Sequence, residues 1–247
     1  MSKYKLFLGD CLEEMKKIPD KFVDCIICDL PYGTTTCKWD IIIPFEPLWE
    51  QYKRIRKDGA PIVLFGREPF TSKMVCSNVK EYKHKWVWNK KQSGSFANAK
   101  YQPLQIDEDI ICFANGRVNY FPIMRKGKMR KKGGSSTKNP IQTGLKTNYF
   151  KYNDEYYPIN IVEFNKERGL HPTQKPVPLL EYLIRTYSKE QDIVLDNCMG
   201  SGSTGVACMN TNRKFIGIEK EEKYFNIAKE RIEGACRSVG DIIVERQ

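Results

Sequence analysis

Apolar positions along the chain switch between two periods, and the switches outline its elements. Residues 4–8 alternate like a strand and end in Gly9-Asp10. Residues 11–17 then carry apolar side chains at helical spacing until Pro19-Asp20 stops them. Residues 22–28 are a short β-rich apolar run that reads as a buried strand leading into Asp29. A strand, a helix and a second strand in that order predict parallel pairing. Residues 44–56 read as a helix, with Pro44 at its start and Phe45, Leu48, Trp49, Tyr52 and Ile55 on one face. After the Asp58-Gly59 turn, residues 60–65 read as a buried strand and 68–79 as a helix. Residues 82–88 alternate basic and aromatic side chains, which predicts a strand with one solvated side, and 106–114 predict another with an acidic start. Residues 33–38 and 89–105 are polar and read as loops beside the functional edge. Toward the end, 156–164 predict a strand, 178–187 a helix, 192–195 a buried strand ending in Asp196, and 214–218 a strand capped by Glu219. A closing helix is expected over 221–235. The alternation predicts an α/β fold of Rossmann-like, doubly wound type with a mostly parallel sheet.

Composition adds a partner class. A chain of 247 residues suits one large α/β domain carrying an insertion, and a net charge of +11 with pI ≈ 9.1 favours polyanionic partners. The charge is concentrated: residues 117–151 hold ten Lys or Arg and no Asp or Glu. Among them are Arg125, Lys126, Lys128, Arg130, Lys131 and Lys132, with Tyr120, Phe121, Tyr149 and Phe150 interleaved and a Gly133-Gly134-Ser135-Ser136 run. Like charge beside aromatics in a Gly/Ser-rich segment predicts a nucleic-acid-contacting insertion that orders on its target. The chain accordingly divides into residues 1–116, an insertion at 117–165, and residues 166–247.

The nine cysteines have no regular spacing, and neither an apolar leader nor a bilayer-spanning run is present. Reduced thiols and a soluble, cytoplasmic protein are expected. Cys25-x-x-Cys28 lies on a predicted strand, where residues three apart face opposite ways. With only His84 and His171 to join them, buried cysteines and no metal site are expected.

Two strand ends carry the chemistry. Asp29-Leu30-Pro31-Tyr32 sets a carboxylate, backbone carbonyls stiffened by proline and a flat ring at a carboxyl edge, a receptor for a heterocycle with an exocyclic amine. Asp196-Asn197-Cys198-Met199 leads into Gly200-Ser201-Gly202-Ser203-Thr204-Gly205, with Glu219 at the distance of a ribose-binding acid. The turn is longer than a dinucleotide turn, and the 42 residues after Gly205 leave no room for a second nucleotide-binding half. The N-terminal units must complete the sheet, so Asp29 should lie beside the glycine loop. A cofactor with a purine, a ribose and a zwitterionic tail fits, and S-adenosylmethionine is the candidate.

With these motifs in this order, the chain resembles the β group of S-adenosylmethionine-dependent DNA amino-methyltransferases, in particular small stand-alone enzymes of the phage type. There a D-P-P-Y-like motif comes first, then a target-recognition insertion, then the cofactor loop. His171-Pro172-Thr173-Gln174-Lys175-Pro176 fits between them. Leu30 stands where the family usually has proline, although it supplies the same carbonyl. The resemblance implies that Asp29 and the Leu30 carbonyl accept the two N–H groups of a target amine and that Tyr32 stacks on a flipped base. It also gives Glu219 the ribose hydroxyls, Asp10 the adenine amino group with Cys11 beside it, and Asp196 a place in the cofactor site. Met199, Gly200, Ser201, Gly202, Ser203 and Thr204, helped by Thr173 and Lys175, would hold the methionine part. The implied partner is duplex DNA, with adenine N6 as the target. Cytosine N4, RNA, and a nucleic-acid-binding protein with a vestigial site remain alternatives, and a homodimer and a cognate restriction enzyme are left open.

Overall fold

The buried apolar runs assemble one large sheet. The computed structural model describes residues 2–33, 40–93, 96, 99–133, 150–167 and 174–244. Its first half contains β1 (Tyr4–Leu8), α1 (Cys11–Met15), β2 (Cys25–Cys28), α2 (Phe45–Ile55), β3 (Ile62–Gly66), α3 (Phe70–Ser77), β4 (Tyr82–Asn89) and β5 (Asp107–Phe113). Its second half contains β6 (Arg125–Gly133), β7 (Phe150–Tyr156), β8 (Ile161–Glu163), α4 (Val177–Tyr187), β9 (Ile193–Asp196), α5 (Ser203–Asn210), β10 (Lys214–Glu219) and α6 (Glu222–Val244).

The chain forms two compact units, Met1–Phe121 with Asn160–Gln247, and Pro122–Ile159. The first unit holds an eight-stranded sheet of order β1-β10-β9-β2-β3-β5-β4-β8. Its pairings are parallel except the two made by β5. Successive residues of each strand point to opposite faces. Cys25, Ile27, Val63, Phe65, Ile110, Cys112 and Val194 therefore pack with α4, α5 and α6. Ile26, Cys28, Ile62, Leu64, Ile111, Phe113 and Leu195 pack with α1, α2 and α3. Coverage on both faces explains why β2 is apolar at every position instead of alternating. Cys25 and Cys28 fall in opposite cores, and burial pushes the Cys28 thiol up to about 12.

Several bounds differ from what the periodicity predicts. The run at 22–28 yields a strand only from Cys25, because Val23 forms a single bridge to Arg56 instead. The expected strand over 156–164 is divided between β7 and β8, and β8 joins the large sheet beside β4. The closing helix runs on to Val244, past the predicted 235.

The second unit contains an antiparallel hairpin of β6 and β7, with a register shift between Lys126 and Arg130. The charged strand has a local counterweight, since Lys126 lies 3.1 Å from Glu155 and 3.5 Å from Asp154. Residues 134–149, which include Gly134-Ser135-Ser136 and Tyr149, the loop residues 34–39, and His171, Pro172 and Thr173 lie outside the described residues. No helix among the described residues is long and apolar enough to cross a membrane.

Candidate active site

The sheet order sets the site. From β2 the chain winds outward through β3, and from β9 it winds the other way through β10, yet β2 and β9 are parallel neighbours. Their shared carboxyl edge is the topological switch point, where open α/β sheets hold ligands. Asp29 follows β2, Asp196 ends β9 and Glu219 ends β10, so the two sequence motifs meet there. A cavity of about 580 Å³ opens at this edge, lined by Asp10, Asp29, Tyr32, Met199 and Glu219 among others. That volume lies in the range of pockets that take a small-molecule ligand or cofactor.

Around Asp29 the polar groups form a closed cluster. The Tyr32 hydroxyl lies 2.7 Å from Asp29 Oδ1 and 2.9 Å from Glu108 Oε1. The Lys175 ammonium donates to Asp29 Oδ2 at 2.5 Å and lies 2.9 Å from Glu108 Oε1. Lys90 Nζ is 2.6 Å from Glu108 Oε2. Burial raises the Asp29 carboxyl above its ordinary range; Lys175 opposes this, and the charge of Glu108 adds to it. Burial also acts against the charged forms of Glu108 and Lys175, but their mutual attraction is stronger. With Lys90 it holds Glu108 at about 2, and the two carboxylates raise Lys175 above its ordinary value. Phe70 stacks on the Tyr32 ring at 4.9 Å between centroids. The Leu30 side chain is buried in the α1–α3 core, which anchors the loop where a proline would stiffen it.

The glycine loop is held from both sides. Glu219 Oε2 accepts from the Gly200 N–H at 2.8 Å, and its Oε1 accepts from Glu221 N–H at 2.9 Å. Asp196 Oδ2 accepts the Thr204 hydroxyl at 2.6 Å, and Oδ1 accepts from Cys198 N–H at 3.1 Å. Ser201 donates to Gln174 at 3.1 Å and accepts from Arg231 at 3.0 Å. Asp10 caps α1 through the Leu12 N–H at 3.0 Å, with Cys11 behind it in the cavity wall.

The cavity thus gathers Asp10, Cys11, the Asp29–Tyr32 loop, Lys175, Asp196, Met199, Gly200, Ser201, Ser203, Thr204 and Glu219. Gly202 is absent from its wall and acts as a turn and packing glycine. Lys175 lies on Asp29 and Glu108, so its ammonium is engaged at the Asp29 end of the cavity. Glu108, Lys90 and Arg231 join the site without a motif to announce them. Glu108 is the second residue of β5, and a strand start reaches this edge only when the strand runs antiparallel, a direction that periodicity does not carry. The acidic start of 106–114 is the one signal that points to it.

The DNA methylase family profile matches residues 23–230. The chain is 32% identical over 251 residues to the DNA adenine methyltransferase YhdJ of Escherichia coli (strain K12), covering 92% of this chain and 82% of that one. It is 27% identical over 241 residues to the type II methyltransferase M.HpaI of Haemophilus parainfluenzae, covering 93% and 74%. Among solved structures, the M1.HpyAVI–SAM complex superimposes with a TM-score of 0.63 at 25% identity, over 92% of this chain and 99% of that chain. The cytosine-N4-specific PvuII DNA methyltransferase gives 0.66 over 97% and 93%, and at 14% identity this is a likeness of fold. Motif order, switch-point geometry and these matches agree: the chain belongs to the DNA methylase family.

Proposed function

We propose that this protein methylates the exocyclic N6 amine of adenine in duplex DNA, with S-adenosylmethionine as methyl donor. The observation that carries the reading is Asp29 itself. Its carboxylate stands at the switch point, in the cavity of the glycine loop, and already accepts an N–H donor, the Lys175 ammonium, on Oδ2. An aniline-like amine is a poor nucleophile because its lone pair is delocalised into the ring. A carboxylate that takes one N–H, with the Leu30 carbonyl taking the other, favours a pyramidal nitrogen with its lone pair free. Tyr32, backed by Phe70, offers a ring for the base to stack on. Extruding that base from the duplex costs a few kcal/mol.

The residues present fit the cofactor. Glu219 sits at the end of β10 as the acid for two ribose hydroxyls, and Asp10 lies beside it for an adenine amino group. The backbone of Met199 to Gly202 lies where a methionine part would be held, with Met199, Gly200 and Ser201 in the cavity wall. When bound, S-adenosylmethionine supplies an electrophilic sulfonium methyl. Adenine as the target is supported by Asp29 at the head of the motif and by the name of the E. coli relative.

The test is to express the protein in cells without DNA methylation and sequence their DNA by a method that reads modified bases. N6-methyladenine within one sequence context is expected; N4-methylcytosine would reassign the base, and unmodified DNA would remove the reading. With purified protein, Asp29→Ala should lose transfer by about a thousandfold, the scale of removing a charge-stabilising group from a preorganised site. Calorimetry should show S-adenosylmethionine still bound.

A further inference from the structure

Asp29 has no idle oxygen. Oδ1 lies 2.7 Å from the Tyr32 hydroxyl, and Oδ2 accepts Lys175 at 2.5 Å. A target amine that takes the position on Oδ2 now held by the ammonium displaces the lysine. Lys175 is 9% exposed and has a second carboxylate, Glu108, at 2.9 Å. A buried ammonium released without another partner would be strongly disfavoured. Glu108 is itself 6% exposed, and the pairing of its Oε2 with Lys90 at 2.6 Å fixes its position. The Tyr32 hydroxyl also reaches Glu108 Oε1, at 2.9 Å. One carboxylate from β5 therefore pairs with the Lys175 ammonium and lies within hydrogen-bond distance of the Tyr32 hydroxyl, whose single proton it shares with Asp29.

We propose that Glu108 is a positioning residue for methyl transfer, retaining Lys175 and Tyr32 so that Asp29 Oδ2 passes from the lysine ammonium to the target amine. This rests on the reading of Asp29 as acceptor for that amine. Before a base enters, Lys175 stands in for the amine. When the base arrives, the ammonium swings onto Glu108 and remains paired, so Asp29 gains a substrate donor without stranding a buried charge. Glu108 is anionic at any working pH, since its two ammonium neighbours outweigh burial.

A pH signature follows. The groups facing Asp29 are Lys175 ahead of α4, Tyr32 on its own loop, Glu108 on β5, Asp196 at the end of β9 and Cys28 in β2. Burial raises the Asp29 carboxyl, Lys175 lowers it and Glu108 raises it. Transfer needs the carboxylate form, so its rate falls as pH drops through this pKa. Removing the charge of Glu108 makes Asp29 a stronger acid and moves that limb to lower pH.

The experiment compares wild type, Glu108→Gln, Glu108→Asp and the double variant Glu108→Gln/Lys175→Met. The assay uses tritiated S-adenosylmethionine and unmethylated genomic DNA. For Glu108→Gln, kcat should fall at least tenfold, S-adenosylmethionine affinity should stay within twofold, and the acid limb of kcat should shift down. Glu108→Asp keeps the charge and should keep the wild-type limb. In the Gln variant Lys175 stays clamped on Asp29, so deleting its ammonium should make the double variant faster than Glu108→Gln alone. A wild-type kcat for Glu108→Gln, an unmoved limb, a slower double variant or a loss of cofactor affinity would each overturn the inference. If wild type itself transfers no methyl to DNA, the functional reading fails and this inference with it, an outcome distinct from the other four.

Discussion

At the scale of single residues, the same desolvation acts on three carboxylates with different results, and the neighbours decide. Glu108 keeps its charge because two ammonium groups face it, and Asp29 is tuned by one of them. Asp196 has no ion-pair partner among the described residues. It is 3% exposed, and burial raises its carboxyl from 3.8 to about 6, against hydrogen bonds from Thr204 and Cys198 that lower it. The folded protein thus holds a proton that the unfolded chain has already released. That difference stabilises the fold fully below about pH 4 and is lost as pH rises through about 6. Asp196→Asn removes the titration. Urea unfolding of variant and wild type should show the variant gaining relative stability between about pH 4 and pH 6, with the difference constant above that. A difference that does not change with pH would mean Asp196 is ionised throughout.

At the scale of elements, the glycine loop is a packing device as well as a ligand wall. Gly202 starts α5 with φ +79, and a Cβ there would sit 2.8 Å from Ala228 Cβ and 2.9 Å from Ala228 Cα on α6. Gly205, one turn on, would meet Ile232 of the same helix. These glycines let α5 lie against α6, which fixes where Gly200 meets Glu219. Gly202→Ala should therefore cost about 1–3 kcal/mol of stability, from the strained backbone and the clash. It should also weaken S-adenosylmethionine binding in calorimetry. Gly116→Ala is the control, since its φ of +61 carries similar strain but its Cβ would meet nothing within 4 Å. If both variants bind the cofactor alike, the packing argument is wrong.

The same elements show what sequence reveals and what it withholds. The strand-Asp and strand-Gly-loop patterns are local, so Asp29 and Gly200 are readable from their own neighbours. Their meeting is a matter of sheet order, since β2 and β9 pair as parallel neighbours. Glu108 and Lys90 are not readable, because their place depends on β5 running against its neighbours, a choice made by tertiary pairing. The place of Lys175 is hidden for a related reason: the family resemblance implies that it helps hold the methionine part of the cofactor, whereas its pairing with Asp29 and Glu108 depends on packing between β2, β5 and the segment before α4.

At the scale of the whole molecule, a net charge of +11 is distributed very unevenly. The hairpin of β6 and β7 shows which of its cations are already engaged. Lys126 faces Glu155 and Asp154, and Arg125 Nε donates to the Tyr157 carbonyl at 3.2 Å. Arg130 lies 6.0 Å from the Tyr156 ring centroid, and the Tyr156 hydroxyl donates to the Lys128 carbonyl at 2.7 Å. This tyrosine packs where Gly127 leaves room, and it ties the two strands together. Lys128 and Arg130 have no carboxylate partner among the described residues and are the better candidates for phosphate contacts. Replacing both by Gln should weaken DNA binding at low salt and reduce the log–log salt slope by about 0.9 for each phosphate no longer neutralised. Lys126→Gln should change the slope less, because its charge is balanced within the hairpin. Cofactor affinity should be unaffected in all of them. Filter binding at several ionic strengths reads the slope, and sequencing the methylated DNA reads the target. Equal weakening on all sequences would mark these residues as phosphate-binding, and a changed target would mark them as base readers. A slope identical to wild type in the Lys128/Arg130 variant would take the hairpin out of DNA binding.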